Sequence, residues 1–290
     1  MLNLQIADRS GDALDISGCI EVQEWQTPDG ARVARGLRAN GSYLMEWPNL
    51  ATYRFDADRQ SVIAYPAPGA SADDIWDAYR RSVLPLALQV RGWEALHASA
   101  IVTAGGLVAF CARSQTGKST IAFGLRRRGF PQWCDDGLVF RPDAPPLASP
   151  LPFEARLRPE SRTLFGYGTP TGAAYLGNTL GEQHFTEPLP IRSICLLSRT
   201  VDAPPDTRTE VRSVPPADAF TALLTHALEF DPTDDVRRTR MMRNYLDLAA
   251  AVPVVELRFV PNRARFDSLL DTVTSALDLT LPEDLRAAGR

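Results

Sequence analysis

The chain has 290 residues, long enough for one large domain or two smaller ones with an ample core. Its apolar share of 44% and charged share of 23% are those of an ordinary globular protein, not a disordered or fibrous one. A formal charge of −4 implies no polyanionic partner, so nucleic acid is not expected. No run approaches the ~20 apolar residues needed to cross a bilayer, so neither is a membrane.

The opening MLNLQIADRSGDALD is acidic and broken, unlike a secretory signal. Over residues 1–70 short apolar runs, CIEVQEW (19–25), YLMEW (43–47) and SVIAYP (61–66), alternate with turn signals such as TPDG and ANGS. The expectation is a β-rich N-terminal domain over 1–72. Ser71–Ala72–Asp73–Asp74 reads as a helix start, and Ile75, Tyr79, Val83 and Leu86 continue at helical spacing, with a kink expected at Pro85. HASAIVTA (97–104) and LVAFCA (107–112) are apolar runs of strand length around Gly105–Gly106, which suggests a hairpin. A helix over 119–128 ends at Gly129, its Arg126–Arg127–Arg128 tail suiting the negative end of the helix dipole. Leu138–Phe140 begins another strand, and the proline-rich stretches 142–152 and 203–216 read as loops. ICLLS (194–198) reads as a buried strand, Phe220 to Leu228 as one helical stripe, and Met241–Ala251 as a helix. VVELRFV (254–260) reads as a half-buried strand and 265–277 as a closing helix. Interleaved strands and helices over 73–290 make the fold class α/β, with a smaller β-rich portion in front. Cys19, Cys111, Cys134 and Cys195 have no metal-ligand spacing, and free thiols in a cytoplasmic protein are expected.

The 31 basic residues are 30 arginines and one lysine, Lys118. Either cation serves on a solvated surface, but a compact ammonium threads between phosphate oxygens where a planar guanidinium is too broad. That lysine sits in ARSQTGKST (112–120), between an apolar strand and a helix, which is a P-loop in its proper context. Backbone N–H groups of Arg113, Ser114, Gln115, Thr116, Gly117, Lys118, Ser119 and Thr120 would meet the phosphates of ATP. Gly117 lets the backbone approach closely, Lys118 reaches the β- and γ-phosphates, and the Ser119 hydroxyl ligates Mg²⁺. Ala112 stands where the usual pattern has its first glycine. Asp135 and Asp136 follow the loop helix, at the start of the next strand. One would hold Mg²⁺, with Asp135 the candidate ligand, while the other accepts a proton; the sequence does not say which is the base. His97 opens the strand before the hairpin and joins the catalytic candidates. His184 and His226 gain no such support. Arg156, Arg158, Arg162, Arg237, Arg238, Arg240 and Arg243 are candidates for a third phosphate or an acidic acceptor, and Glu160 for a further metal-side acid.

LHASAIV, SQTGKST and WCDDGLVF, in that order and spacing, resemble the catalytic domain of the HPr serine kinase/phosphorylase family, over about residues 92–141. The resemblance implies a core similar to that of phosphoenolpyruvate carboxykinase, ATP with Mg²⁺, and a serine acceptor on a peptide or small protein. Carried over, Lys118 and Ser119 handle phosphate and metal, Asp135 and Asp136 supply metal contact and base, and His97 lies near the phosphates. The first 70 residues do not resemble that family's receiver-like domain. The chain looks more like divergent relatives beside peptide natural-product pathways, where a precursor peptide, as in lasso-peptide clusters, is a candidate acceptor. That family's tendency to assemble admits a homo-oligomer.

Two other readings are weighed. A non-catalytic nucleotide-binding regulator or scaffold would bind ATP without turnover and tolerate Asn at 135 and 136; the acid pair argues against it. A motor or transport ATPase needs a strand ending in an acid downstream of the loop. ICLLSRT ends without one, and no LSGGQ segment occurs.

Overall fold

The computed structural model describes residues 2–8, 14–27, 29–39, 41–153, 155, 157–167, 185–200, 203–204 and 206–282. The chain is mixed α/β and divides into two compact units, one of residues 1–95 with 228–242, the other of 96–227 with 243–290. The first unit therefore extends beyond residue 72, taking the helical segment after the front strands and a short return of the chain.

Unit one is built on a six-stranded sheet of β1 (Asn3–Ile6), β2 (Ile20–Gln26), β3 (Arg32–Ala39), β4 (Ser42–Trp47), β5 (Ala51–Asp56) and β6 (Ser61–Pro66), in the order β1-β6-β5-β4-β3-β2. Only the β1–β6 pair is parallel. In β5 Ala51, Tyr53 and Phe55 are buried while the residues between them are half-buried, the period of two that fixes a strand's inner face. α1 (Ala72–Ala78) begins at Ser71, whose hydroxyl accepts the Asp74 N–H as an N-cap. The kink expected at Pro85 is taken up one turn earlier. Residues Tyr79–Val83 form a π turn in which Leu84 N–H reaches back to Tyr79 O, and α2 (Leu84–Val90) follows. The returning segment completes the core: Phe230 packs edge-on against Tyr43 and Phe55, Asp231 pairs with Arg38 at 2.6 Å, and Arg237 pairs with Glu94 at 2.6 Å.

After β7 (Glu94–Leu96), unit two holds β8 (Ala98–Thr103), β9 (Gly106–Cys111), α3 (Lys118–Arg127), β10 (Gln132–Cys134), β11 (Leu138–Arg141), β12 (Leu147–Ala148), α4 (Pro159–Leu164), β13 (Leu189–Arg199), β14 (Glu210–Val214), α5 (Pro216–Leu224), β15 (Val254–Phe259) and α7 (Phe266–Ala276). α6 (Asp235–Ala251) runs from one unit into the other. The main sheet runs β10-β8-β9-β13-β15-β14, and β12 and β11 continue from the start of β13. β9, β13 and β15 are parallel neighbours, whereas β8, β10 and β14 run against theirs. Ile121, Ala122 and Leu125 of α3 and Leu270 and Val273 of α7 share one core with Val108, Phe110, Cys195, Leu197 and Leu257 of the sheet. The helices approach so closely at Gly124 that a Cβ there would stand 2.8 Å from the Leu270 side chain and 2.9 Å from the Phe266 ring. The loop read over 203–216 contains β14, and the stripe read to Leu228 is helical only to Leu224.

Candidate functional site

Three strand ends converge at one margin of the second unit's sheet. Ala98, the first residue of β8, faces Cys111, the last of β9; Cys111 faces Leu196, which faces Glu256. β10 runs antiparallel to β8, with Cys134 opposite Ala100, so the chain leaving Cys134 heads for that same margin. His97, the loop 112–117 and Asp135–Asp136 therefore emerge side by side. The aspartates do not open a strand, as the sequence suggested. They follow the short β10 and occupy the bend before β11, where Asp136 has a φ of 65°. Asp tolerates the left-handed region better than most residues, and such bends are where chains store strain near reactive groups.

The loop turns through two left-handed residues, Gln115 (φ 68°) and Gly117 (φ 118°). A side chain at Gly117 would be strained at that φ, and the space a Cβ would enter holds only the Arg199 Nη2 at 3.8 Å. The first bond of α3 runs from Ile121 N–H to Gly117 O at 2.9 Å, so the amides of Lys118, Ser119 and Thr120 have no acceptor within the helix. Those amides and the positive end of the helix dipole make the margin receptive to an anion.

Lys118 is 6% exposed. Its Nζ donates to Ala112 O at 3.3 Å and lies 3.1 Å from His97 Nε2. An ammonium can only donate, so His97 Nε2 accepts and the ring proton sits on Nδ1. Among the described residues no carboxylate stands within ion-pair distance of Nζ. Burial lowers the Lys118 pKa, with Arg158 adding to the effect, while Asp136, Asp135 and the Cys111 thiol act against it. Asp135 is nearly buried, and its Oδ1 accepts the Ser119 hydroxyl at 2.8 Å and the Ser99 hydroxyl at 2.6 Å. Asp136 is more open, its Oδ1 lying 3.6 Å from His97 Nε2.

No group of three or more His, Cys, Asp or Glu side chains among the described residues forms a protein-only metal cage. Ser119 Oγ and Asp135 Oδ1 are hard oxygen donors at one point, the partial donor set that suits Mg²⁺ when phosphates and water complete its shell.

No protein-family model matches the chain, and no curated protein matches it. Among solved structures it is similar to the HPr(Ser) kinase/phosphatase from Coxiella burnetii, over 63% of this chain and 98% of that one. At 15% identity and a TM-score of 0.35, the likeness establishes neither fold nor activity.

The geometry thus brings together His97, Lys118, Ser119, Asp135 and Asp136, and the loop residues Arg113, Ser114, Gln115, Thr116, Gly117 and Thr120 lie between them in the chain. It also adds groups the sequence did not point to. Ser99 sits on the strand after His97, with no motif to mark it. Arg199 ends β13 and donates from Nε to Thr116 O at 2.8 Å. His226, set aside in the sequence, accepts the His97 N–H at its carbonyl (2.8 Å), and its ring pKa falls to about 4 through burial, with the neighbouring His97, Lys118 and Arg113 adding to the effect. Among the described candidate arginines, Arg158 is the one that acts on the Lys118 charge. Arg162 lies over the Tyr167 ring, Arg237 pairs with Glu94, Arg238 with Asp235, and Arg240 and Arg243 are exposed. Nothing ties Glu160, on the first turn of α4, to the acids. Arg156 and His184 lie outside the described residues. No helix among the described residues is long and apolar enough to cross a membrane.

Proposed function

We propose that the chain is an ATP-dependent kinase that transfers the γ-phosphoryl group to a serine hydroxyl of a peptide or small protein. The observation that carries this reading is the meeting of a buried lysine, without an ion-pair partner among the described residues, and two carboxylates at the amide-lined start of α3. The 112–120 segment acts as a P-loop, its amides and the Lys118 ammonium balancing charge on the β- and γ-phosphates. Ser119 and Asp135 would hold Mg²⁺, which supplies further neutralisation of phosphate charge when bound.

The two acids divide the work by environment. Asp135 is spent on two hydroxyls in a buried position, which suits a positioning and metal-holding group. Asp136 is open to an incoming molecule and is the base. The serine oxygen attacks the γ-phosphorus, the bond from that phosphorus to the β–γ bridging oxygen breaks, its electron pair leaves with ADP, and the hydroxyl proton passes to Asp136. His97 accepts from Lys118 and borders Asp136, contacts that support a role for it beside the transferred phosphoryl group.

Purified protein with ATP, Mg²⁺ and serine-containing peptides should give a product heavier by one phosphate in mass spectrometry. Asp136→Asn should slow transfer by about 100-fold or more while leaving nucleotide affinity near its original value. Full transfer by the Asn variant would remove Asp136 as base, and no transfer by the original protein to any acceptor would favour the scaffold reading.

A further inference from the structure

Beside the loop lies a cavity of about 520 Å³, within the size range of small-molecule sites. Its walls come from β13, β14, α5 and the residues after it, all within unit two, and include Arg113, Arg199, Arg212, Asp218, His226 and Glu256. Arg113 and Thr116 belong both to the loop and to this wall. The cavity adjoins the lysine end of the phosphate cradle: His226 holds the His97 N–H, and His97 meets Lys118 Nζ. The opposite end of the cradle is engaged elsewhere, since the Thr120 hydroxyl lies 2.7 Å from that of Ser161 on α4. A P-loop lysine marks the β- and γ-phosphates, so a molecule in the cavity stands at the end where transfer occurs.

Charge in the wall leans positive, with Arg113, Arg199 and Arg212 against Asp218 and Glu256. Glu256 is consumed by its neighbours, accepting from Ser198 Oγ (2.9 Å), Arg212 Nε (2.5 Å) and Arg258 Nε (3.1 Å). Arg199 is partly desolvated, which lowers its pKa, and its Nε is taken by a backbone carbonyl. Among the described residues neither Arg199 nor Arg113 has a carboxylate within ion-pair distance. His226, with its depressed pKa, is neutral at ordinary pH and offers a hydrogen bond without adding charge.

Building on the kinase reading, we propose that this cavity receives the phosphoryl acceptor and selects one bearing a carboxylate close to its hydroxyl. A serine flanked by acidic residues and a free hydroxy acid share that chemistry. Arg199 and Arg113 recognise the carboxylate, and the hydroxyl is left facing the γ-phosphate beside Asp136.

The test uses the full chain with ATP and Mg²⁺ and three acceptors: an end-blocked peptide with serine between glutamates, its twin with glutamines, and free L-serine. The glutamate peptide should show a KM about tenfold below that of the glutamine twin, and Arg199→Gln should erase the difference. Ala222→Leu, which fills the cavity from α5, should raise KM for every acceptor while MgATP binding persists. Transfer to L-serine and not to either peptide would identify the free hydroxy acid as the source of the chemistry. Equal KM values for the two peptides, or a difference that survives Arg199→Gln, would overturn the proposal. If no acceptor is phosphorylated, binding of the glutamate peptide in the presence of MgADP decides the cavity separately. Arg199-dependent binding would sustain the cavity while the kinase reading falls; absent or Arg199-independent binding would overturn the cavity proposal too.

Discussion

Among the described residues each unit buries one cation, and the two are handled in opposite ways. In unit one Arg237, with a side chain 9% exposed, donates to the wholly buried Glu94 and to Trp93 O. In unit two Lys118 is equally buried but among the described residues meets a carbonyl and an imidazole and no carboxylate within ion-pair distance. A buried pair is held by its own Coulomb attraction, and removing one member strands the other in a low-dielectric interior. A buried cation with no carboxylate within ion-pair distance carries a desolvation cost that the nearby Asp136 and Asp135 offset only in part. Proteins keep such a cost where a ligand repays it. On the proposed reading, the contrast separates a charge that supports the fold from one that serves a ligand.

The largest expected effect breaks the contrast at its functional end. Lys118→Met should reduce phosphoryl transfer by about 100- to 1,000-fold, as loss of a group that stabilises developing charge does. Stability in urea should hold or rise, because the variant removes a desolvated charge; a marked fall in the midpoint would show that Lys118 supports the fold after all. At the structural end, Arg237→Ala should destabilise unit one by about 3–5 kcal/mol, since it removes the cation paired with the buried Glu94. A variant as stable as the original in denaturant titration would contradict the pairing.

The smallest effect is a difference in pH dependence. Lys118 has a folded pKa below the ordinary 10.5, so the penalty for its charge acts in full below the folded value. As pH rises toward 10.5 the folded protein gives up its proton first, and stability increases. Tyr53 and Tyr79, whose phenols burial pushes above their usual pKa, work the other way, because the unfolded chain ionises them first. Both tyrosines are present in Lys118→Met and cancel in the comparison. The stability of the original protein minus that of the variant should therefore climb with pH over this window. A flat difference curve would mean that the ammonium is not desolvated.

Elements whose pattern is local were legible in the sequence. The hairpin at Gly105–Gly106, the Ser71 cap and the helix α3, with Gly129 just past its end, each carry their signal within a few residues. β3 and β14, with sequences RVARGLRA and EVRSV, were not read because their arginines and glutamates mask the alternation, and their place depends on partners distant in sequence. The site divides in the same way. Lys118 and Ser119 declare themselves through the loop motif, and the Asp pair through its adjacency. Ser99, Arg199 and His226 become relevant only because β8, β13 and the end of α5 are brought to one margin, which no local spacing encodes. The place of the aspartates was misread for a related reason: three residues, Gln132–Cys134, are too few to announce a strand.

The burial of Lys118 has a practical consequence for chemistry carried out on the protein. Its ε-amine is the sole side-chain primary amine in the chain, and a lowered pKa keeps more of it in the nucleophilic, unprotonated form. An amine-acylating reagent attacks two kinds of amine, the side-chain nitrogen, here that of Lys118, and any terminal one. A bound triphosphate would shield the first, so one mass adduct, present or absent, becomes a footprint of occupancy that requires no engineered label.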